Sequence, residues 1–335
     1  MIRRSFVMSA AALSMASMAL AGCGSSGNTP TPTPSPTPTP TPTPTPVSYG
    51  NFPVTAPLEV ASVSASTSFT GDLAVGPVTL GATGTEGLSS RLSMTMQADP
   101  AATTTAAPHV VRENTEETRF VAADLLTAPA TGVIEYVFRN VTAATPGKYS
   151  QLELQNNTIK DKVTTDTGLN QSRVSYANWI RADSLTGQTR ISTSVFGYYT
   201  LAGDVPTTGT ATYSARIGGK IVRVGAGGTG TLAPLRGTVT ITVNFATGEV
   251  TATLNTTVVV GGTETAYGTF TGTGAIPTGA QSFSGSFGPT SPIPGTFQGR
   301  FYGTQGEQIG IAFAGLGSVG GFDTRVVGGI VGKKN

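Results

Sequence analysis

Few residues of this chain could do chemistry, and their spacing limits what that chemistry would be. His109 is the only histidine and Cys23 the only cysteine in 335 residues. A Ser-His-Asp triad would have to use His109, which lies in Ala106-Ala107-Pro108-His109, and no nucleophile elbow occurs elsewhere. One His and one Cys cannot make a zinc site of several His and Cys ligands. His109 alone could ligate a haem, but a structural histidine, buried or at the surface, is the default. Glu113 and Glu117 are near in sequence, with no pocket evident to support paired acid–base work. Gly225-Ala226-Gly227-Gly228-Thr229-Gly230 matches the Gly-x-Gly-x-x-Gly spacing of a dinucleotide loop. Such a loop needs a helix opening directly behind it, so that the helix N-terminus meets the pyrophosphate. Pro234 and Gly237 follow too soon, so a turn between two strands is expected. These residues argue against an enzyme, and they imply no metal and no cofactor.

The elements that would carry these residues are foreshadowed by composition. Charged residues make up 11% of the chain, and there are 44 Gly. An ordinary soluble domain has about 25% charged residues. Low charge with abundant Gly, Thr and Ser suits short strands and turns better than helices. The formal net charge is +2. Arg3 and Arg4 sit in a segment expected to be removed, so the mature chain is near neutral. It has no electrostatic case for nucleic acid, which needs clustered Lys and Arg. A single Cys provides no internal disulfide, so stability must come from burial and strand pairing.

The N-terminus opens on basic Met1-Ile2-Arg3-Arg4, runs apolar from Phe6 to Leu20 and closes on Leu20-Ala21-Gly22-Cys23. This resembles the lipobox of bacterial lipoproteins. It implies a signal over residues 1–22, cleavage before Cys23 and acylation of its thiol, with palmitate as the expected label. The apolar run is about 15 residues, short of the roughly 20 that a bilayer span needs. The resemblance therefore implies anchoring by lipid. Gly24, Ser25 and Ser26 follow; the absence of Asp there implies the outer membrane, with the body exposed at the cell surface. From Thr29 to Pro46 the chain reads Thr-Pro nine times, with Ser35 once standing for Thr. Alternate prolines exclude helix and sheet, so Thr29–Pro46 is expected to be an extended spacer of roughly 55 Å, within a Thr-Pro-rich linker over residues 23–48.

Beyond the spacer the chain reads as all-β. Thr238 to Phe245 alternates strictly, with Val239, Ile241, Val243 and Phe245 on one face. Ala246-Thr247-Gly248-Glu249 turns, and Val250, Ala252 and Leu254 resume the period, which predicts a hairpin. Further strands are expected at Gly209–Ile217, Lys220–Val224, Tyr267–Gly274, Gln281–Phe287, Thr296–Tyr302, Gln308–Ala314 and Arg325–Val331. This regular succession predicts an antiparallel up-and-down β-barrel of about eight strands. The runs look shorter than the 9–11 residues of a membrane-embedded barrel. Residues 114–126 read as a solvated charged stretch, with a helix or a strand at Thr118–Leu125 as alternatives.

Near the C-terminus the motifs become specific. Gly295-Thr296-Phe297-Gln298-Gly299-Arg300-Phe301-Tyr302-Gly303 leads into Gly306-Glu307-Gln308-Ile309-Gly310-Ile311-Ala312-Phe313, and Val327-Gly328-Gly329-Ile330-Val331-Gly332-Lys333-Lys334 closes the chain. Upstream lies Pro206-Thr207-Thr208-Gly209-Thr210-Ala211-Thr212-Tyr213. Over about Asp204–Asn335 this resembles the barrel of transferrin-binding protein B and related surface lipoproteins, with room here for a single lobe. The resemblance implies a β-rich handle-like domain over 49–205, packed against a barrel over 206–335. Phe297, Phe301, Ile309, Ile311 and Phe313 would then be core and Arg300 would point outward. Trp179, Tyr176, Tyr198 and Tyr199 would be core or junction packing. The implied function is capture of a protein or small ligand from host or environment, for iron or haem acquisition, with a TonB-dependent receptor as companion. The alternative is a structural or adhesive envelope lipoprotein with no soluble ligand. Ligand-contact residues are not legible in the sequence.

Overall fold

The computed structural model describes residues 48–162 and 164–335; the signal, Cys23 and the Thr-Pro spacer lie outside the described residues. Strands β1 (Leu58–Thr70), β2 (Thr79–Met96), β3 (His109–Glu113), β4 (Glu116–Phe120), β5 (Leu125–Thr127), β6 (Glu135–Val141), β7 (Tyr149–Gln155), β8 (Val174–Asp183) and β9 (Gln188–Gly197) form one antiparallel sheet. Its order is β4-β3-β2-β1-β9-β8-β7-β6-β5. Strands β10 (Thr210–Val224), β11 (Gly230–Asn244), β12 (Glu249–Val260), β13 (Thr263–Ala275), β14 (Ser282–Phe287), β15 (Gly295–Tyr302), β16 (Gln308–Val319) and β17 (Phe322–Lys334) close into a barrel in sequence order. The all-β architecture and the eight-stranded up-and-down barrel agree with the alternation in the sequence.

Strand lengths differ from expectation. Gly209–Ile217 and Lys220–Val224 are parts of one strand, β10, which runs through Gly218 and Gly219 and pairs with β17 along its length. Strand β11 starts at Gly230, well before Thr238, because pairing with β10 carries it through Pro234 and Gly237. Six barrel strands have 12 to 15 residues, so shortness is not what separates this barrel from a membrane-embedded one. Its faces do that. The lumen is filled by Val239, Ile241, Val250, Leu254, Phe270, Phe297, Phe301, Ile309, Ile311 and Phe313. Thr240, Thr251, Thr253, Thr269 and Thr271 point out and are solvent-exposed. A membrane barrel has the reverse arrangement, with an apolar band outside and a polar interior. No helix among the described residues is long and apolar enough to cross a membrane.

Three hydrophobic cores follow from this layout. The barrel lumen is one, where phenylalanine rings face glycines across the wall. A Cβ on Gly299 would lie 2.2 Å from the Phe283 ring, so the ring occupies the place of the missing side chain. The second lies between sheet and barrel, where Val63, Val174, Tyr176, Ile180 and Val195 meet Val222, Tyr302, Ala312, Ala314, Val327 and Val331. Gly218 permits that approach: a Cβ there would sit 1.9 Å from the Tyr176 ring. The third fills the other face of the sheet, with Phe120, Tyr136, Phe138, Leu152 and Trp179. The sheet curls around it far enough for Ser150 Oγ on β7 to donate to Thr118 Oγ1 on β4 at 3.0 Å.

Residues 114–126 form no α-helix; Ala122–Asp124 make a single 3-10 turn between β4 and β5. Asn114 and Thr115 turn β3 into β4, with Asn114 at φ 55°, a left-handed conformation that Asn tolerates well. His109 lies buried in the third core. Its Nδ1 accepts the Gln97 backbone N–H at 2.9 Å, and the Phe138 ring stands edge-on 5.0 Å away. Its Nε2 has no partner among the described residues. Burial lowers the imidazole pKa to about 4, offset only in part by the Thr95 carbonyl. The unfolded chain, with an ordinary value near 6.5, therefore binds the proton first on acidification. This contribution to stability is intact above about pH 6.5 and falls by roughly 3 kcal/mol as pH drops to about 4. Urea melts at pH 7.5 and pH 4.5 should show this loss, and the His109→Phe variant should lose less between the two. Equal losses in the two proteins would show that His109 is not the acid-sensitive group.

Candidate binding surface

The barrel's two ends differ in what they hold. At the first the chain joins the body. The Tyr49 hydroxyl donates to Asp204 Oδ2 at 2.9 Å and accepts the Leu201 N–H at 3.0 Å. Arg173 Nη1 donates to the Tyr49 and Gly50 carbonyls at 3.1 and 2.8 Å. Asp204 precedes β10, and its Oδ2 also accepts the Gln305 N–H from the turn before β16, at 2.9 Å.

The second end carries the hairpin tips: 225–229 between β10 and β11, Gly261-Gly262 between β12 and β13, and Gly320-Gly321 between β16 and β17. Loops of the sheet reach the same end. The Val78 N–H donates to the Gly228 carbonyl at 2.9 Å, the Gly230 N–H to Leu73 at 2.7 Å, and the Gly71 N–H to Gly187 at 3.0 Å. The Gly225–Gly230 segment is thus the expected turn between strands. It also ties the loop after β1 to the barrel.

Among the described residues eight large apolar side chains are exposed, and six lie at or near this second end: Val75, Val141, Leu185, Val260, Leu316 and Phe322. Their exposure runs from 38% for Phe322 to 78% for Leu185. Val141 belongs there because it pairs with Tyr149, which pairs with Ala182 at the end of β8. Leu316 pairs with Arg325, close to the β16–β17 tip. Single exposed apolar residues need no explanation, but their concentration at one end does. Hairpin tips favour Gly and polar residues, so apolar side chains there cost solubility and serve no core.

An ion network closes the curled sheet nearby. Glu113 takes Arg91 Nη2 at 2.9 Å, Arg181 Nη2 at shorter range and the Ser192 hydroxyl at 3.0 Å. Arg181 Nη1 also reaches Glu116 at 2.6 Å, and Arg190 pairs with Glu116 as well. Burial works to raise the Glu113 pKa, but the Arg181 charge and the hydrogen bonds from Arg91, Arg181 and Ser192 reverse it, leaving it lowered. Glu117 lies on the opposite face of the hairpin, paired with Arg112 and Arg119. The two carboxylates are not brought together.

The remaining expected residues fall in the interior. Phe297, Phe301, Ile309, Ile311 and Phe313 are buried in the lumen. The Trp179 Nε1–H donates to Ser150 Oγ at 2.7 Å, with the Arg181 guanidinium 4.0 Å over its ring. Tyr176 is buried at the junction, and Tyr199 bridges to Tyr302 there. Arg300 points out of the barrel as expected but lands on the sheet rather than in water, 4.9 Å over the Tyr199 ring. The sequence did not single out Val75, Val141, Leu185, Val260 or Phe322. The available signal was an apolar residue flanking a Gly-Gly pair, as in Val260-Gly261-Gly262 and Gly320-Gly321-Phe322. No group of three His, Cys, Asp or Glu among the described residues is placed to hold a metal ion.

The described residues form a curled sheet packed on a closed barrel, with apolar side chains exposed at one end. Residues 205–334 match the family model for the C-lobe and N-lobe β-barrels of Tf-binding protein B. The similarity to that family thus covers the barrel, β10 to β17. Similar solved structures include a transferrin-binding protein B double mutant, a vaccine antigen from Haemophilus parasuis. It is 12% identical at TM-score 0.41, over 82% of this chain and 44% of that one. The isotype 1 protein from serogroup B Neisseria meningitidis is 16% identical at TM-score 0.39, over 82% and 44%. The intact two-lobed Ap-TbpB is 9% identical at TM-score 0.42, over 82% and 46%. The chain therefore spans less than half the length of these three. The search of curated proteins returned no match.

Proposed function

We infer that this protein is a surface binding lipoprotein that offers the tip end of its sheet and barrel to a partner protein. The observation that carries this reading is the gathering of six of eight exposed large apolar residues at the end away from where the chain joins the body. Lipid on Cys23 would tether the molecule to an outer membrane through the Thr-Pro linker. The related transferrin-binding proteins favour a protein ligand from host or environment. Uptake of iron or haem through a TonB-dependent receptor is the finer form of this reading. A structural or adhesive envelope role is the alternative.

The test is a pull-down from host and environmental fluids with the natural chain and with a triple variant, Leu185→Ser, Val260→Ser and Phe322→Ser. Leu185 and Val260 are well exposed, so each of those substitutions should change stability by only about 0.5 kcal/mol, whereas Phe322→Ser also removes the ring under the Arg223 guanidinium, about 1 kcal/mol more. Reproducible enrichment of one partner, weakened at least about tenfold in the triple variant, is the expected result. Enrichment of nothing across varied fluids would favour the structural role. Undiminished capture by the triple variant would place the interface elsewhere.

A further inference from the structure

A cleft of about 590 Å3 opens on the outer wall of the barrel, between strands β10 to β13 and the loop that precedes β8. Its floor is irregular at one level. The pairing of β10 with β11 lapses between Arg216–Thr238 and Gly219–Leu235, and Gly237 there turns to φ 142°. At the same level Tyr267 is an extra residue of β13, set between the Thr256–Gly268 and Thr257–Ala266 pairs. Between these two faults β11 and β12 pair without a break. A bulge bends its strand and re-aims the side chains beside it. Here the bend leaves a depression with the small side chain of Ala266 in its lining.

The facing wall is held in place. Gln155 and Gln171, both buried, donate their side-chain amides to the Leu169 and Gly168 carbonyls of the loop, the latter at 2.7 Å. Asp166 accepts the Gly168 N–H at 2.8 Å and Arg216 Nε at 2.7 Å. Ligand sites are usually pre-formed and often lie where two packed parts meet, and this loop is fixed at such a junction. The charges around the cleft are matched. Arg216 pairs with Asp166 and Arg236 with Glu135, and Glu264 accepts the Thr257 hydroxyl. The row left open across the floor is uncharged. Thr238, Asn255 and Thr269 are exposed and lie side by side on β11, β12 and β13, about 4.8 Å from strand to strand. Thr269 donates to Asn255 Oδ1 at 3.0 Å. The Asn255 Nδ2 and the Thr238 hydroxyl have no partner among the described residues.

We propose that this cleft binds a neutral saccharide. A sugar hydroxyl both donates and accepts, so neighbouring hydroxyls of one ring can accept from Asn255 Nδ2 and exchange hydrogen bonds with Thr238 and Thr269. The apolar C–H face of the ring would rest against Ile134, Leu169 and Ala266, which also line the cleft. An anion would find both guanidiniums already paired and would meet the Glu264 carboxylate. The volume lies within the roughly 300–1,000 Å3 of small-molecule sites. No aromatic ring lines the cleft, so affinity rests on hydrogen bonds and is weak, with Kd near about 1 mM. The site stands independently of whether the hairpin tips dock a protein.

The experiment is saturation-transfer difference NMR on the full chain, titrated separately with lactose, maltotriose and triacetylchitotriose. Sialyllactose serves as the charged counterpart of lactose. The expected result is saturable transfer to at least one neutral sugar. Asn255→Ala should weaken that binding about tenfold, as loss of one hydrogen bond does. Thr238→Ala combined with Asn255→Ala should abolish it, with an unchanged circular dichroism melt showing that the barrel still folds. Thr251→Ala, on the same wall but outside the cleft, should bind like the natural chain. Three results would overturn the proposal. They are no transfer with any of the three neutral sugars, transfer undiminished in the double variant, and tighter binding of sialyllactose than of lactose, which would make the cleft an anion site.

Discussion

Replacement of Phe301 by alanine should destabilise the protein by about 3–5 kcal/mol, one of the largest effects expected of any single substitution here. Phe301 is fully buried in the lumen, with the Phe245 and Phe283 rings both at 5.4 Å and Tyr213 at 6.4 Å. The strand pairs around it are closed on both sides, Gly299 of β15 to Phe283 of β14 and Phe301 to Ile309 of β16. Such walls relax little, so most of the cavity should remain open. The loss is a large share of the roughly 5–15 kcal/mol that holds a domain folded. Arg300→Ala next to it is the control. It removes a cation–π contact with Tyr199, but also a buried Nε without a partner. These oppose each other, so a change of no more than about 1 kcal/mol is expected. Urea melts measure both, and equal losses would mean that the lumen is not packed as described.

Phe301 and Arg300 also show what a strand pattern can and cannot reveal. Period-2 alternation assigns the two faces of a strand, because successive side chains point opposite ways. It therefore placed Phe297, Phe301, Ile309, Ile311 and Phe313 inside the barrel, where they are. It cannot say what lies beyond the outer face. Arg300 points out, and so do Ala312 and Val327, yet the sheet covers all three. That contact is made by residues such as Tyr176 and Val195, far away in sequence, so no local pattern encodes it. Strand ends were hidden for a related reason. Gly218-Gly219 and Pro234 look like breaks in an isolated reading, whereas pairing on both sides carries β10 and β11 through them. The apolar tips stayed unread because each is a single Val, Leu or Phe beside a turn. They become a surface only when the loops of sheet and barrel are brought to one end.

What holds those loops at one end is the contact between sheet and barrel, and its polar part should be the second large effect. Lys220 of β10 donates to Glu153 of β7 at 2.8 Å, with the two side chains 8% and 7% exposed. Beside them Arg236 of β11 pairs with Glu135 of β6 at 2.5 Å, and Tyr176 donates to the same carboxylate at 2.8 Å. Burial works to raise the Glu135 pKa, and the charges of Arg236 and Lys220 overturn it, so the carboxylate stays ionised. The cluster thus holds two cations and two anions out of water. Lys220→Met removes one cation and leaves Glu153 with only the Gln151 amide at 2.9 Å and the Asn178 amide at 3.4 Å. An uncompensated buried charge of this kind costs about 3–5 kcal/mol. Lys220→Met combined with Glu153→Leu removes the charge altogether. The double variant should recover most of the loss and could equal the natural protein, since apolar packing often replaces a buried pair without penalty. Denaturant melts of the two single variants and the double one form the cycle. A double variant no more stable than Lys220→Met alone would show that the pair is not a closed unit. Recovery would show that the pair adds little net stability over apolar packing. The docking that brings Leu185 and Val75 of the sheet to the same end as Val260 and Phe322 of the barrel is fixed by the Tyr176 ring seated over Gly218 and Val195 over Gly310 and Gly329, with the two ion pairs at set points on β6, β7, β10 and β11 beside them.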